Sequence, residues 1–176
     1  MVALEQLKVD IVNTSNNPLP TYESKGSAGM DLRADFSKVK NHDDLIYFGD
    51  IACETEVDKD GKRTKVVEMR PHSRVLIPTG IHIALPEGYE AQIRPRSGLA
   101  LKKGIMVTNS PATIDNGYLE EIGIILTNTG DEPFIIKDGD RIAQMVVKKF
   151  ETVTWNPVKE LLGYNRGGGF GHTGNS

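Results

Sequence analysis

The sequence predicts an all-β domain, a jelly-roll-like sandwich or barrel with one short helix. Short apolar runs recur along the chain, helical periodicity is scarce, and clusters of Pro, Gly, Asp and Asn separate the runs. Many short strands joined by such turns are typical of sandwiches and barrels. The 176 residues are sufficient for one domain with a sizeable core.

The predicted strands are short and mostly alternate apolar with polar side chains. Alternation is clearest at residues 89–93 and recurs at 141–147. The second pattern puts Gln144 on the same face as Ile142 and Val146, where its amide needs a hydrogen-bond partner, either at a strand edge or in a site. We predict strands at residues 7–12, 74–77, 81–85, 89–93, 105–107, 122–126, 134–136 and 142–147.

A helical pattern is found only at residues 97–103. Ser97 is predicted to be the N-cap of this helix, and Gly104 is predicted to end it. Towards the C-terminus the chain becomes Gly-rich. The predicted organisation is therefore a β domain of residues 1–162 followed by a flexible arm of residues 163–176.

Residues 37–68 differ from the rest of the chain because Lys, Asp and Glu dominate there. The segment Asp58-Lys-Asp-Gly61 is typical of a hairpin turn, and Val57 and residues 66–67 would lie at the ends of the paired strands. We predict a charged β-hairpin inserted at the surface, with Cys53 on it. A solvated loop is the alternative.

Charge and cysteine content limit the classes of function. The net charge of -3 argues against nucleic acid or a membrane surface as the main partner. The single cysteine cannot form an intrachain disulfide, and the N-terminus lacks the apolar region of a signal peptide. No run approaches the ~18 apolar residues of a membrane span. We expect a soluble cytoplasmic protein.

The link at residues 109–118 is the most informative candidate site. It joins two apolar runs predicted to pair as a hairpin, and it carries Asp115 and, three residues later, Tyr118. A carboxylate held near a turn beside an aromatic ring is suited to activating water next to a flat substrate. The alternative is an ordinary turn, in which Asp, Asn and Gly are the commonest residues.

Three further segments are candidates for binding. Residues 95–100 follow a predicted strand and open the helix, so that Arg96, Ser97 and backbone amides could hold a phosphate; a capped helix with a surface arginine is the alternative. In the glycine-rich tail, Arg166 could meet a phosphate and Phe170 could stack on a base, unless the tail is simple low-complexity sequence. Asp31 could orient a metal-bound water or a basic side chain, or pair with a neighbouring arginine.

Taken in order, these segments resemble the deoxyuridine triphosphate nucleotidohydrolase (dUTPase) family, which is known by five ordered motifs. Each motif alone is weakly specific, but five in sequence are highly specific, and they cover most of the chain except residues 37–68. The motifs are Ala28-Gly-Met-Asp-Leu-Arg-Ala34, Pro95-Arg-Ser-Gly-Leu-Ala100, Asn109 to Tyr118, Arg141-Ile-Ala-Gln-Met145 and Arg166 to Gly174.

The resemblance implies a homotrimer of jelly-roll subunits with active sites at the subunit boundaries, each taking its C-terminal arm from another subunit. It implies hydrolysis of dUTP to dUMP and pyrophosphate by attack of water on the α-phosphorus, with Mg2+ on the triphosphate. Such an activity limits uracil incorporation into DNA and supplies dUMP for thymidylate synthesis.

The resemblance also implies a role for each site residue. Asp115 would position and deprotonate the water, and Tyr118 would lie under the deoxyribose and exclude a 2′-hydroxyl. The segment 105–118 would recognise uracil through its main chain and Asn109, with Asp31 in support near the metal waters or the subunit boundary. The other substrate contacts would be Arg96, Ser97, Gly98 and Gln144 at the phosphates, Arg166 at the γ-phosphate, Phe170 over the uracil, and Thr113, Ile114, Gly123 and Gly171.

Three positions depart from the family pattern. Ala112 stands where glycine is usual, Leu119-Glu120 replace Arg/Gln-Gly, and the spacing from Arg166 to Phe170 is one residue shorter. Two other classes are alternatives. A dCTP deaminase would need a glutamate in the strand after the link, which residues 122–126 lack. A non-catalytic interaction protein on the same scaffold would use the charged insert as its binding surface.

Overall fold

The computed structural model describes residues 6–165 and Gly167, and within them the fold is all-β and jelly-roll-like with one short helix, as predicted. Each predicted strand is present, with ends shifted by at most three residues. The strands are β1 (Asp10–Asn13), β2 (Met30–Arg33), β3 (Tyr47–Phe48), β4 (Ile51–Val57), β5 (Arg63–Met69), β6 (Arg74–Ile77), β7 (Ile81–Ala84), β8 (Tyr89–Arg94), β9 (Ile105–Val107), β10 (Ala112–Ile114), β11 (Ile124–Asn128), β12 (Phe134–Lys137) and β13 (Arg141–Lys149).

Antiparallel pairing arranges these strands in four small sheets. Their orders are β10-β8-β13-β2, β3-β6-β11-β9, β12-β5-β4 and β1-β7. Alternate residues of a strand point to opposite faces, and in β11 Ile124, Leu126 and Asn128 are buried while the residues between them are partly exposed. The inward-facing apolar side chains of all four sheets meet in one hydrophobic core.

The predicted charged hairpin is present as β4 and β5, with Cys53 on β4. Its turn is fastened by Asp58, whose carboxylate accepts hydrogen bonds from the backbone of Asp60 and Lys62, both at 2.9 Å. Burial raises the pKa of the Cys53 thiol, which makes its reactive thiolate scarcer at neutral pH.

The surface location predicted for this hairpin is wrong for its second strand. β5 lies between β4 and β12, and Val67 and Met69 are both 0% exposed. The high content of Lys, Asp and Glu across residues 37–68 hid the apolar side chains with which β5 joins the core. Within the hairpin, β4 is the strand at the edge of the sheet.

The short helix is α1 (Ser97–Lys103), and it ends as predicted. Gly104 has φ 65°, in the left-handed region that glycine adopts readily, and a Cβ there would lie 2.6 Å from the backbone nitrogen of Gly130. The predicted N-cap is wrong, because Arg96 occupies that position and makes no side-chain capping hydrogen bond. Ser97 is instead the first helical residue. In the described part of the chain, no helix is long and apolar enough to cross a membrane.

The link between β9 and β11 is more than a hairpin loop. β9 and β11 pair as expected, with Val107 opposite Leu126. Between them, however, β10 leaves this sheet and pairs with β8 in another, with Ile114 opposite Ala91. The link therefore connects two sheets.

The two strands of the β4–β5 hairpin should respond differently to truncation. We expect Met69→Ala to lower the free energy of unfolding by about 2–5 kcal/mol, because it leaves a cavity in the core. Val57→Ala, at a side chain that is 58% exposed, should change it by less than about 0.5 kcal/mol. Urea unfolding at one fixed protein concentration measures both. Equal effects would contradict the assignment of β5 to the core.

Candidate active site

A row of polar side chains crosses the outer face of the sheet β10-β8-β13-β2. Gln144 in β13 is opposite Asp31 on one side and Arg94 on the other. Directly opposed residues of antiparallel strands present their side chains on the same face, about 5 Å apart. The pairing register therefore brings together two residues, Asp31 and Gln144, that are 113 positions apart in the sequence.

Gln144 has the hydrogen-bond partner predicted from the sequence, because its Nε2 donates to the carbonyl oxygen of Pro95 at 2.9 Å. The prediction that it shares a face with Ile142 is wrong. The register shifts between Arg141 and Ala143, and Ile142 is buried in the core whereas Gln144 is half-buried. A bulge of this kind breaks the simple alternation on which the prediction was based.

Asp31 organises two arginines. Its Oδ1 is 2.9 Å from Nε of Arg96, and its Oδ2 is 3.1 Å from Nη1 of Arg141. Arg96 also donates from Nη1 to the carbonyl oxygen of Arg141 at 3.0 Å, and Arg141 contacts Glu23 at 3.2 Å. The Asp31 side chain is only 15% exposed, so this pair is screened less by water than a surface pair. Of the alternatives for Asp31, the structure contains the pairing with arginine.

These residues border a cleft of about 390 Å³ at the start of α1. Arg96, Ser97, Gly98 and Gln144, all predicted as phosphate contacts, lie together in its lining with Asp31. Lys102 and Lys103 also line it, so that three cationic side chains face one carboxylate. The sequence analysis missed these two lysines; their position one to two turns after Arg96 on the helix was the available signal. A cleft with this excess of positive charge is suited to an anion.

The residues predicted to act on the base, the sugar and the water lie elsewhere. Asn109, Thr113, Asp115 and Tyr118 are exposed, and Tyr118 donates its hydroxyl to the carbonyl oxygen of Glu121 at 2.9 Å. Two further predicted site residues, Ile114 and Gly123, lie close against other parts of the protein. Ile114 is 9% exposed and belongs to the core, and a Cβ on Gly123 would lie 2.7 Å from Cδ1 of Leu76.

Asp115 and the cationic cleft are far apart within the chain. Asp115 follows Ile114, which is opposite Ala91, so the chain there is level with the start of β8. The cleft begins beyond Arg94, at the other end of the same strand. Asp115 is level with Glu90, and the four residues from Glu90 to Arg94 span about 13 Å along the strand. Pro95 and Arg96 lie beyond that. Arg166, Phe170 and Gly171 lie outside the described residues.

Comparisons with known proteins agree with the motifs. A sequence model of the dUTPase family matches residues 62–174, which include four of the five motifs and begin at β5. A curated deoxyuridine 5′-triphosphate nucleotidohydrolase from Finegoldia magna is 45% identical over 169 residues, which are 96% of this chain and 99% of the relative. The chain belongs to the dUTPase family.

Solved dUTPase structures share the fold. A variant of the dUTPase of Staphylococcus bacteriophage 80alpha, with dUpNHpp, has a TM-score of 0.70 at 20% identity and covers 96% of this chain and 100% of its own. A variant of the dUTPase of S. aureus phage phi11, described with a structural Mg(II) ion, has a TM-score of 0.65 at 19% identity and covers 88% of this chain and 99% of its own.

The departures from the dUTPase pattern that lie in described residues are accommodated. Ala112 is the first residue of β10, opposite Ile93, and its φ is not in the left-handed region that would require glycine. Leu119 and Glu120 are both exposed, so neither side chain has to fit into the core.

We expect Asp31→Asn to destabilise the protein by about 1–3 kcal/mol, because the arginines lose a charged hydrogen-bond acceptor in a half-buried setting. Asp43→Asn is the matched control, since among residues 6–165 the Asp43 carboxylate forms an ion pair with His42 alone, at the surface, and its side chain is 78% exposed. That change should have little effect. Thermal unfolding of both variants at equal concentration measures the difference. Equal stability of the two would contradict the structural importance of the Asp31 pair.

Proposed function

We propose that this protein hydrolyses dUTP to dUMP and pyrophosphate. The observation that carries the proposal is the cationic cleft, in which Arg96 is oriented by Asp31 beside Ser97, Gly98 and Gln144. These are the phosphate contacts that the dUTPase motifs assign, and the curated relative is named for this activity. In a cell, the reaction would limit uracil incorporation into DNA and supply dUMP, and the single cysteine fits the reducing cytoplasm.

The cleft would hold the triphosphate. Arg96 uses Nε and Nη1 for Asp31 and Arg141, and within the described residues its Nη2 has no partner, which leaves it available to a phosphate oxygen. The first helical N–H groups, those of Ser97 and Gly98, lack intrahelical acceptors because the first such bond is donated by Ala100. Together with the Ser97 hydroxyl, they supply neutral donors beside the cations.

Asp115 would act as the base. It takes a proton from water as the water oxygen forms a bond to the α-phosphorus. The bond from that phosphorus to the bridging oxygen breaks, and pyrophosphate leaves with its electron pair. Because phosphoryl transfer depends mainly on positioning and on stabilising charge, one base and a set of fixed cations are sufficient.

Tyr118 and Asn109 would determine specificity. With its hydroxyl donated to Glu121, the Tyr118 ring has a defined position and would lie under the deoxyribose, where a 2′-hydroxyl would clash. Asn109 and the backbone of residues 105–118 would recognise uracil by its pattern of donors and acceptors. Cytosine would leave a buried polar group unpaired, which costs about 1–3 kcal/mol.

Mg2+ would enter with the substrate. Among the described residues, no three or more His, Cys, Asp or Glu side chains are grouped as metal ligands, and Asp31 already pairs with two arginines. This donor set fits a Mg2+ ion held by triphosphate oxygens and water, its usual environment in nucleotide enzymes. Bound there, the ion would neutralise phosphate charge.

A homotrimer would complete the site, because Asp115 and the cleft of one chain are distant. After β13, residues 150–165 contain no helix or strand. They carry Trp155, 85% exposed, and Leu161, 94% exposed. An extended apolar segment of this kind is stabilised by burial on another copy. It leads to Arg166 and Phe170, which would close over a neighbouring subunit's nucleotide.

We expect the wild type to release pyrophosphate from dUTP with Mg2+ and to leave dCTP, dTTP and UTP largely intact. Asp115→Asn should lower the turnover of dUTP by at least about 100-fold, since the water loses its base. Pyrophosphate release measures both. No release by the wild type, or full activity of the variant, would contradict the proposal, and ammonia release from dCTP would indicate a deaminase.

The shared site has its own test. Asp115→Asn and Arg96→Ala should each be inactive alone. After they are dissociated together and reassembled, about a quarter of the sites would combine an intact Asp115 with an intact Arg96 from another subunit, if mixing is random. We therefore expect about a quarter of wild-type turnover.

In the matched control, the Asp115→Asn variant is mixed with a double variant that carries both Asp115→Asn and Arg96→Ala. This mixture contains no Asp115 and should remain inactive. If the first mixture also stays inactive although mass spectrometry detects mixed trimers, both groups act within one subunit and the shared site is contradicted.

A further inference from the structure

The segment that carries Asp115 and Tyr118 has few attachments to the body of the protein. Residues 115–120 are all exposed, and they follow the buried Ile114 at the end of β10. Within the segment, the Tyr118 backbone donates to the carbonyl oxygen of Asp115 at 3.1 Å, which forms a local turn. A local turn fixes the shape of the segment but not its place on the sheets.

Glu121 provides a side-chain attachment. A single carboxylate oxygen, Oε1, accepts hydrogen bonds from the backbone N–H of Thr79 at 3.0 Å and of Gly80 at 2.7 Å. Thr79 is 1% exposed, so these donors lie in an environment where an unpaired N–H is costly. Charged acceptors form stronger hydrogen bonds to backbone N–H than neutral ones.

The turn that Glu121 contacts has a sterically constrained backbone. Gly80 has φ 67°, and a Cβ there would lie 2.7 Å from the backbone nitrogen of Ser15. The Thr79 hydroxyl donates to the carbonyl oxygen of Ile122 at 2.6 Å, and the Ile122 backbone donates to Ile81 at 2.8 Å. Ile122, the residue after Glu121, is thus also held to the β6–β7 connection and to the first residue of β7.

Further hydrogen bonds link this attachment to the segment that carries Tyr118. The carbonyl oxygen of Glu121 accepts the Tyr118 hydroxyl. The Nδ1 atom of His82 lies 3.1 Å from the carbonyl oxygen of Leu119, and since a carbonyl only accepts, this nitrogen carries the proton. Glu121 therefore holds, through its backbone, the ring proposed to lie under the sugar.

We propose that Glu121 is a positioning residue, which fixes Tyr118 and Asp115 relative to the substrate by clamping their segment to Thr79 and Gly80. The inference rests on the proposed function. It assigns to a side chain outside the described cleft a role in both the rate of hydrolysis and the discrimination between deoxyribose and ribose.

The chemistry of the clamp distinguishes three substitutions. Because one oxygen accepts both hydrogen bonds, the amide oxygen of Glu121→Gln can accept them in the same way. Glu121→Asp is one carbon shorter and cannot reach both donors from the same backbone position. Glu121→Ala removes the acceptor. Glu87→Ala, at an exposed glutamate in the β7–β8 turn, is the control.

Two measurements test the clamp. The first is kcat and KM for dUTP and for UTP. Displacement of a catalytic segment by about 1 Å costs on the order of 100-fold, so Glu121→Ala should lower kcat for dUTP by about 10- to 100-fold. The ratio of kcat/KM for dUTP to that for UTP should fall by at least about tenfold, since a displaced Tyr118 no longer blocks the 2′-hydroxyl. This ratio does not depend on the folded fraction.

We expect Glu121→Gln to restore most of kcat and the sugar ratio, Glu121→Asp to be intermediate, and Glu87→Ala to equal the wild type. The inference is overturned if Glu121→Ala keeps the wild-type sugar ratio and kcat. It is also overturned if Glu121→Gln is as impaired as Glu121→Ala.

The second measurement is independent of activity. Hydrogen exchange of the hydrogen-bonded amides of Thr79, Gly80 and Tyr118 should accelerate in Glu121→Ala and remain slow in Glu121→Gln. If the wild type does not hydrolyse dUTP, the proposed function fails while exchange still tests the clamp. If the wild type is active and exchange in Glu121→Ala is unchanged, the clamp alone fails.

Discussion

The pairing register of β13 is the constraint on which the rest of the site depends. This strand lies between β2 and β8, and its register sets Gln144 opposite both Asp31 and Arg94. A slip of one residue would exchange the two faces and place Met145, a core residue, where Gln144 now meets Pro95. The bulge next to Arg141 fixes this register, and it brings the arginine within reach of Asp31.

Most strands could be predicted from the sequence, because alternation and turn residues are local signals. The segments 74–77 and 105–107 are strands at the predicted residues. Two of the errors arose where a long-range contact decided the outcome. The burial of Met69 depends on β12, more than sixty positions later, and the departure of β10 towards β8 depends on a pairing partner in another sheet.

The same distinction applies to the site. Arg96, Ser97 and Gly98 are adjacent in sequence, so the motif alone indicated a phosphate cleft, and the structure brings them together with Gln144 and Asp31. Lys102 and Lys103 join the cleft only because α1 is helical. The pairing of Asp31 with arginine was one of two alternatives that the sequence left open, and the clamp by Glu121 was not visible in it, since Thr79 and Gly80 are some forty positions away.

The cationic cleft also has a consequence for encounter rates. The chain as a whole carries a net charge of -3, which has the same sign as the charge of a nucleotide. Within about 10 Å of the cleft, the Debye length at 0.1 M salt, the positive field of Arg96, Lys102 and Lys103 is stronger than the field of the net charge. A nucleotide that diffuses along the surface would be attracted phosphates first, which would set its orientation before any contact with residues 105–118, the segment proposed to recognise the base. On the proposed function, selection by charge would precede selection by shape, and ionic strength would change the first without altering the second.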